Sequence, residues 1–213
     1  AGMITQAMRA ILGDRVIGIC DSPIGLGRRA ARALAIDPTQ TQVEYAGLNH
    51  LGWLRGLRHD GADVLPELIA DAELLDSFEE GRLFGAEWIQ TIDAIPNEYL
   101  YYYYFTREVV ASITGGAQTR GEFLLDQQTA FYRAVGADPS SALTLWRSAR
   151  AEREATYLAE ARGADEQRDA LDLDGGGYEG VALALMRAIS RDEPADLILN
   201  VANVLDGAAV IPA

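Results

Sequence analysis

A thiol and an imidazole stand at the ends of two short apolar runs. Cys20 closes Arg15-Val-Ile-Gly-Ile-Cys20 and leads into Asp21-Ser22-Pro23; Val43-Glu-Tyr-Ala-Gly-Leu48 ends in Asn49-His50. Thiolate and imidazole make an N/S donor pair that suits a first-row divalent ion. Two protein ligands leave coordination positions open, as a catalytic metal needs if substrate oxygens are to complete its shell. Each residue alone has a plainer explanation. A free cysteine is often a small buried hydrophobe, and a lone histidine is often a hydrogen-bonded loop residue. Their joint placement at consecutive strand ends, with polar Asp21 and Asn49 beside them, favours a cation shared by Cys20, His50 and the oxygens of a substrate.

Delivering both ligands to one crevice requires strands that end side by side, as open α/β sheets provide. Thr5 to Leu12 has helical spacing and stops at Gly13-Asp14, a helix C-cap signal. Val16–Ile19 is apolar on both faces, the pattern of a buried parallel strand. A helix over 25–35, with Pro23 at its first turn, then connects to a strand at Val43–Leu48. This predicts a parallel strand–helix–strand unit with a right-handed crossover. Leu51 to Arg58 alternates in period two, and His59-Asp60-Gly61 is a hairpin turn signal. Residues 63–93 read as one acidic amphipathic helix with Glu79, Glu80 and Glu87 on its solvated face. A helix with Asn97 as its cap follows Ile95-Pro96. Further helices are expected over 120–135, 140–162 and 181–189, a tight turn at 172–178 and a last strand at 196–201. The fold class is α/β: the end of a Rossmann-like domain, then a mixed α+β, mostly helical domain.

Composition narrows the function classes. Hydrophobic residues at 49% and charged residues at 23% over 213 positions suit one sizeable core. A net charge of −14 leaves no basic stripe for nucleic-acid phosphates. One cysteine permits no intrachain disulfide and suits a reducing compartment. No apolar run approaches the roughly 20 residues of a membrane span, and no signal peptide is visible, so a cytoplasmic protein is expected. The first residues read as a helix already under way, so the chain is expected to be part of a longer enzyme.

Val16-Ile-Gly-Ile-Cys20-Asp-Ser-Pro23 together with Gly47-Leu-Asn-His50-Leu51 resembles glycoside hydrolase family 4, the NAD- and manganese-dependent glycosidases. Ile95-Pro-Asn-Glu-Tyr99-Leu-Tyr-Tyr-Tyr and Gly175-Gly-Gly-Tyr178 extend the likeness over nearly the whole chain. This family stands outside the usual two-carboxylate glycosidase scheme. The resemblance implies that residues 1–22 are the tail of the dinucleotide-binding domain and 23–213 a C-terminal domain of the lactate/malate dehydrogenase-like type. It implies that Cys20 and His50 hold manganese(II) against the 2- and 3-hydroxyls of the sugar. Asp21 and Asn49 match substrate contacts. Tyr99 matches the base that removes the carbon 2 proton, with Tyr101 to Tyr104 each able to take that role if the helix is shifted. The implied sequence is oxidation of the 3-hydroxyl by NAD⁺, proton removal at carbon 2, elimination of the aglycone, addition of water and return of the hydride. A phenol with a reference pKa near 10 needs help to act as a base at neutral pH.

The glycine-rich dinucleotide loop is not among these residues; Gly25-Leu-Gly27 is too short to be one. The chain is therefore expected not to bind NAD or turn over by itself. Asp174 stands where the family commonly has arginine. In the family, asparagine after the cysteine accompanies 6-phospho-β-glucosidases and aspartate the α enzymes, so Asp21 points to the α group. Ser22-Pro23-Ile24 and Pro96-Asn-Glu-Tyr-Leu-Tyr-Tyr-Tyr look more like the β enzymes, and 6-phospho-β-glucosidase is the expected activity. Arg28, Arg29 and Arg107 are candidates for the substrate phosphate. The partners implied are a phosphorylated disaccharide or glucoside and further copies of the chain, as a dimer or tetramer. The competing reading is a malate/lactate-type NAD dehydrogenase, which needs no metal and which the Cys20/His50 pairing disfavours. A third is a non-catalytic domain serving oligomer contacts.

Overall fold

The computed structural model describes residues 2–162, 168, 177–205 and 208–210. They form two compact units, one of Ala1–Leu100 with Ala170–Ala213 and one of Tyr101–Asp169. The tight turn expected at 172–178, with Asp174 and Gly175, lies almost wholly outside the described residues.

The first unit opens with α1 (Gly2–Leu12), which ends as expected at Gly13, whose φ of +62° is the left-handed conformation that closes a helix. Strand β1 is only Gly18–Ile19, and its partner is β6 (Leu199–Asn200), antiparallel, with Gly18 opposite Asn200. Helix α2 (Ser22–Ala33) follows, with Pro23 in its first turn. Strands β2 (Thr41–Leu48) and β3 (Leu51–His59) then form an antiparallel hairpin, in register from Thr41 opposite His59 to Leu48 opposite Leu51. The expected parallel strand–helix–strand unit is therefore absent: β1 and β2 lie in different sheets. An apolar run specifies a buried strand without naming its partner, and the partner available two residues away wins with little loop-closure cost.

Strands β4 (Ala62–Asp63) and β5 (Ile95–Pro96) also pair with β3. The turn into β4 is Asp60-Gly61, both at positive φ, as a two-residue hairpin turn requires. The register of β2 on β3 shifts between Glu44 and Tyr45, which leaves Arg55 as the extra residue of a bulge. The bulge explains why the period-two pattern breaks and why Leu54 and Leu57 both face the core. There they meet Leu26, Ala30 and Ala31 of α2 among the fully buried side chains. A Cβ at Gly27 would lie 2.5 Å from Val43 Cγ2, so this glycine sets how closely α2 approaches β2.

Residues 63–93 are four short helices rather than one: α3 (Leu65–Ala70), α4 (Ala72–Asp76), α5 (Glu79–Phe84) and α6 (Ala86–Ile92). Asp71 interrupts by capping α4, accepting from the N–H groups of Glu73 and Leu74 at 2.9 and 3.1 Å. Gly85 (φ +79°) and Asp93 (φ +53°) bend the chain after α5 and α6. These breaks let Leu65, Leu68, Leu75, Phe78 and Ile89 all reach the core. They also turn Glu79 and Glu80 inward: both are buried, against the expectation of a solvated face, while Glu87 is exposed.

The chain passes into the second unit within α7 (Leu100–Tyr104), followed by α8 (Thr106–Gly115), α9 (Arg120–Ala137) and α10 (Ala142–Ala155). Thr119 and Glu122 form a reciprocal capping box at the start of α9. Helices α9 and α10 pack as a hairpin, tied by Gln127 Nε2 donating to Ala149 O at 3.2 Å. Back in the first unit, α11 (Gly177–Arg191) precedes β6, and β7 (Asn203–Leu205) pairs with β8 (Ala208–Val210). The architecture is mixed α/β and mostly helical. No helix of the described residues is long and apolar enough to cross a membrane.

Candidate metal and substrate site

Cys20 follows β1 directly, and His50 is the second residue of the two-residue turn between β2 and β3. Cys20 Sγ lies 3.4 Å from His50 Nε2. A shared cation with metal–sulfur and metal–nitrogen bonds of about 2.3 and 2.1 Å, at angles between about 90° and 110°, separates its two donors by roughly 3.1–3.6 Å. The observed distance lies inside that interval, so this pair fits a single divalent ion. Without a cation the same distance is a thiol–imidazole hydrogen bond. Among the described residues no group of three or more His, Cys, Asp and Glu side chains could hold a metal.

The electrostatics favour a neutral pair until a cation arrives. Burial pushes the Cys20 thiol up, Ser22 pulls it back through its backbone N–H and hydroxyl, and Asp21 adds to the rise. Burial lowers the His50 imidazole, against the opposing pull of Asp21. A neutral imidazole offers a lone pair at neutral pH, and a thiol must shed its proton on binding, so metal affinity should rise with pH.

The third member is placed by register. Trp53 stands opposite Pro96 and Leu54 opposite Ile95, and Asn97 N–H donates to Gly52 O at 2.9 Å. The same register carried three residues on brings Tyr99 opposite His50. Their rings lie 4.3 Å apart, centroid to centroid, tilted by 39°. Asn97 caps the turn, its side chain accepting from Tyr99 N–H at 3.1 Å. The other tyrosines are disposed differently: Tyr101 stacks on Phe105 at 4.8 Å, and Tyr103 and Tyr104 are exposed, edge to face.

Beneath the site lies a buried charge cluster. Arg29 Nε donates to Glu80 Oε2 at 2.9 Å, Arg29 Nη2 donates to Glu80 Oε1, and Nη2 sits 3.9 Å from Glu98 Oε2. Burial opposes the Arg29 charge, and Glu80, backed by Glu98 and Glu79, outweighs it. Arg29 is thus engaged by carboxylates inside the protein and does not serve a substrate phosphate. Arg28 is part-exposed, and Arg107 is an exposed residue of the second unit. Glu98 is pushed up to about 7 by burial and by Glu80, with Arg29 and Ser22 opposing. Ser22 therefore bonds both Cys20 and Glu98.

Three further residues near the site were given no role from the sequence. Asn200 Oδ1 accepts a hydrogen bond from Asn49 Nδ2, and Asn200 is 2% exposed. Tyr45 donates its hydroxyl to Leu48 O at 3.1 Å and Asn49 O at 2.9 Å, pinning the turn that carries His50. Tyr178 is half-exposed, its phenol raised by burial and then by the acidic neighbours Asp21, Cys20 and Tyr99. Asn200 did carry a signal, being a polar residue at the end of an apolar run, as Cys20 and Asn49 are.

A family model described as the family 4 glycosyl hydrolase C-terminal domain matches residues 45–211. The chain belongs to that family. Among curated relatives, a probable 6-phospho-β-glucosidase of Bacillus subtilis is 32% identical over 127 residues, 57% of this chain and 29% of that protein. A 6-phospho-α-glucosidase of Leptotrichia buccalis is 34% identical over 126 residues, 52% of this chain and 29% of that protein. The fold matches the 6-phospho-β-glucosidase of Thermotoga maritima, solved with NAD and glucose-6-phosphate, with a TM-score of 0.62 at 23% identity. That match covers 99% of this chain and 46% of the other. The chain thus spans about half the length of a solved family 4 relative, and its alignments to the curated ones cover under a third of theirs. The fold expectation, a C-terminal domain of this kind, is met.

Proposed function

We propose that this chain is the metal- and substrate-binding part of an NAD- and manganese-dependent 6-phosphoglucosidase, of β specificity. The observation that supports this most is the convergence of Cys20, His50 and Tyr99, which come from three different elements of one unit. Residues 1–22 are assigned to the tail of a dinucleotide-binding domain and 23–213 to the C-terminal domain. Among the described residues the strand-to-helix turn after β1 is Cys20-Asp21, without the glycines a pyrophosphate needs. NAD is therefore assigned to the part of the enzyme that the relatives' greater length represents.

Cys20 Sγ and His50 Nε2 would hold manganese(II), which supplies Lewis acidity next to the carbons that react. Asn49 orients the substrate hydroxyls, with its amide already fixed by Asn200. Asp21, part-buried beside Cys20, accepts a hydrogen bond from a further hydroxyl. Tyr99, as its phenolate, accepts the proton from carbon 2 and becomes the phenol, its ring orientation set by His50 and its backbone by Asn97. The buried face beneath excludes water from one side of the sugar. The bound partner is a phosphorylated glucoside or disaccharide, and the enzyme assembles as a homo-oligomer.

The β assignment rests on Ser22-Pro23-Ile24 and the Pro96 to Tyr103 segment, against the contrary indication of Asp21. The test is hydrolysis of the two anomers of 4-nitrophenyl glucoside-6-phosphate by the full-length protein with NAD, with and without chelator. Faster turnover of the β anomer, abolished by chelator and restored by manganese, is expected. Preference for the α anomer would overturn the specificity, and indifference to chelator would overturn the metal.

A further inference from the structure

Asn200 touches the chain beside each member of the ligand pair. In β6 it lies opposite Gly18, two residues before Cys20, and its side-chain oxygen receives Asn49 Nδ2, one residue before His50. Besides the contact of Cys20 with His50 itself, this bond joins the β1 and β6 pair to the β2–β3 turn. The approach is close: a Cβ on Gly18 would lie 2.9 Å from Asn200 Cβ, so the absence of a side chain there admits Asn200. Tyr45 pins the main chain of the turn within its own hairpin, whereas Asn200 ties that turn to the strand that delivers Cys20 without using either member of the pair. Both amides are buried, Asn49 at 7% and Asn200 at 2% exposure, so water does not substitute readily for either.

From this geometry we infer that Asn200 is a positioning residue for the metal pair: by hydrogen bonding Asn49 it sets the separation of Cys20 and His50. The inference rests on reading those two residues as ligands. Its chemistry is asymmetric. The acceptor Oδ1 is used, whereas Nδ2 is buried with no hydrogen-bond partner among the described residues. Replacing the acceptor should therefore matter, and replacing the amide nitrogen by oxygen should lose no bond.

The experiment uses the full-length protein freed of metal. Manganese(II) affinity is read from the free-ion paramagnetic resonance signal, and cobalt(II) reports a thiolate through its charge-transfer absorption. Asn200→Leu keeps the shape but not the acceptor and should weaken manganese binding about 10–100-fold, the range typical of residues that orient ligands. It should also diminish the cobalt–thiolate band. Asn200→Asp keeps the acceptor and should bind within about threefold of the parent, a rescue that bulk packing would not produce. Asn49→Ala removes the donor and should weaken binding similarly, with the Asn200→Leu/Asn49→Ala double variant no worse than either single one. It also carries the test if Asn200→Leu does not fold. Parent-like affinity in the Leu and Ala variants, or equal losses in Leu and Asp, would overturn the inference alone. A parent protein with no Cys20-dependent cobalt band would overturn the reading of the pair as ligands, and the inference with it.

Discussion

At the scale of single residues, Tyr99 is set by backbone register. Its ring meets His50 because β5 continues opposite the start of β3, so neither residue has to search for the other. In the proposed mechanism its phenolate oxygen takes a proton and becomes the phenol, and general-base removal typically costs 10²–10⁴-fold in rate. Tyr99→Phe in the full-length enzyme should lower kcat by about that factor, change KM little, and slow exchange of the carbon 2 proton with solvent. Normal exchange in that variant would assign the base to another group. The approach of Cys20 to His50 was legible in the sequence because both are rare residue types at the ends of apolar runs. Asn200 was harder to read: an amide is common, and its partner Asn49 is 151 positions away. Glu98 was hidden because its neighbour Tyr99 drew the chemistry, while the carboxyl points to a buried arginine.

At the scale of elements, what holds the site in place is a set of short pieces joined by charge. Arg29 of α2 and Glu80 of α5 form a buried bidentate pair. Leaving one partner alone in such a pair costs about 3–5 kcal/mol, whereas an apolar replacement of both is often neutral. Arg29→Met should therefore lower stability by that amount in denaturant titration, and a double Arg29→Met/Glu80→Met variant should recover much of it. If the single variant is as stable as the parent, the pair carries no structural weight.

Glu98 makes stability depend on pH. Its folded carboxyl holds its proton to about pH 7, against an ordinary value of 4.5. The contribution is fully present below about pH 4.5, declines as pH rises, and is lost above about pH 7, because the unfolded chain releases the proton first. Glu98→Gln should flatten this slope and raise the melting temperature at pH 8 by a few degrees. An unchanged slope would place the titration elsewhere. The elements also show where sequence reading failed. The helix stops at Gly13, the Asp60-Gly61 turn and the α9 start are local signals, and they were found. The partner of β1, the hairpin at Asn49-His50 and the four-way division of 63–93 are decided by tertiary pairing, which periodicity does not contain.

At the scale of the molecule, the chain spans about half the length of a solved relative. Exposed apolar residues on α1 (Met3, Ile4, Ile11) and on α11 (Leu183, Met186, Ile189) are surfaces that cost solvation when uncovered. Family membership was legible because the Cys20 and His50 motifs and a tyrosine-rich segment occur together. Anomeric preference was not, because Asp21 and the residues after it point in opposite directions.

The account depends on one cation bound by both Cys20 and His50. X-ray absorption at the manganese edge of the full-length protein measures that shell directly. One sulfur scatterer with one imidazole, the sulfur lost in Cys20→Ser, is the result predicted. A shell of oxygen and nitrogen alone in the parent protein would contradict it.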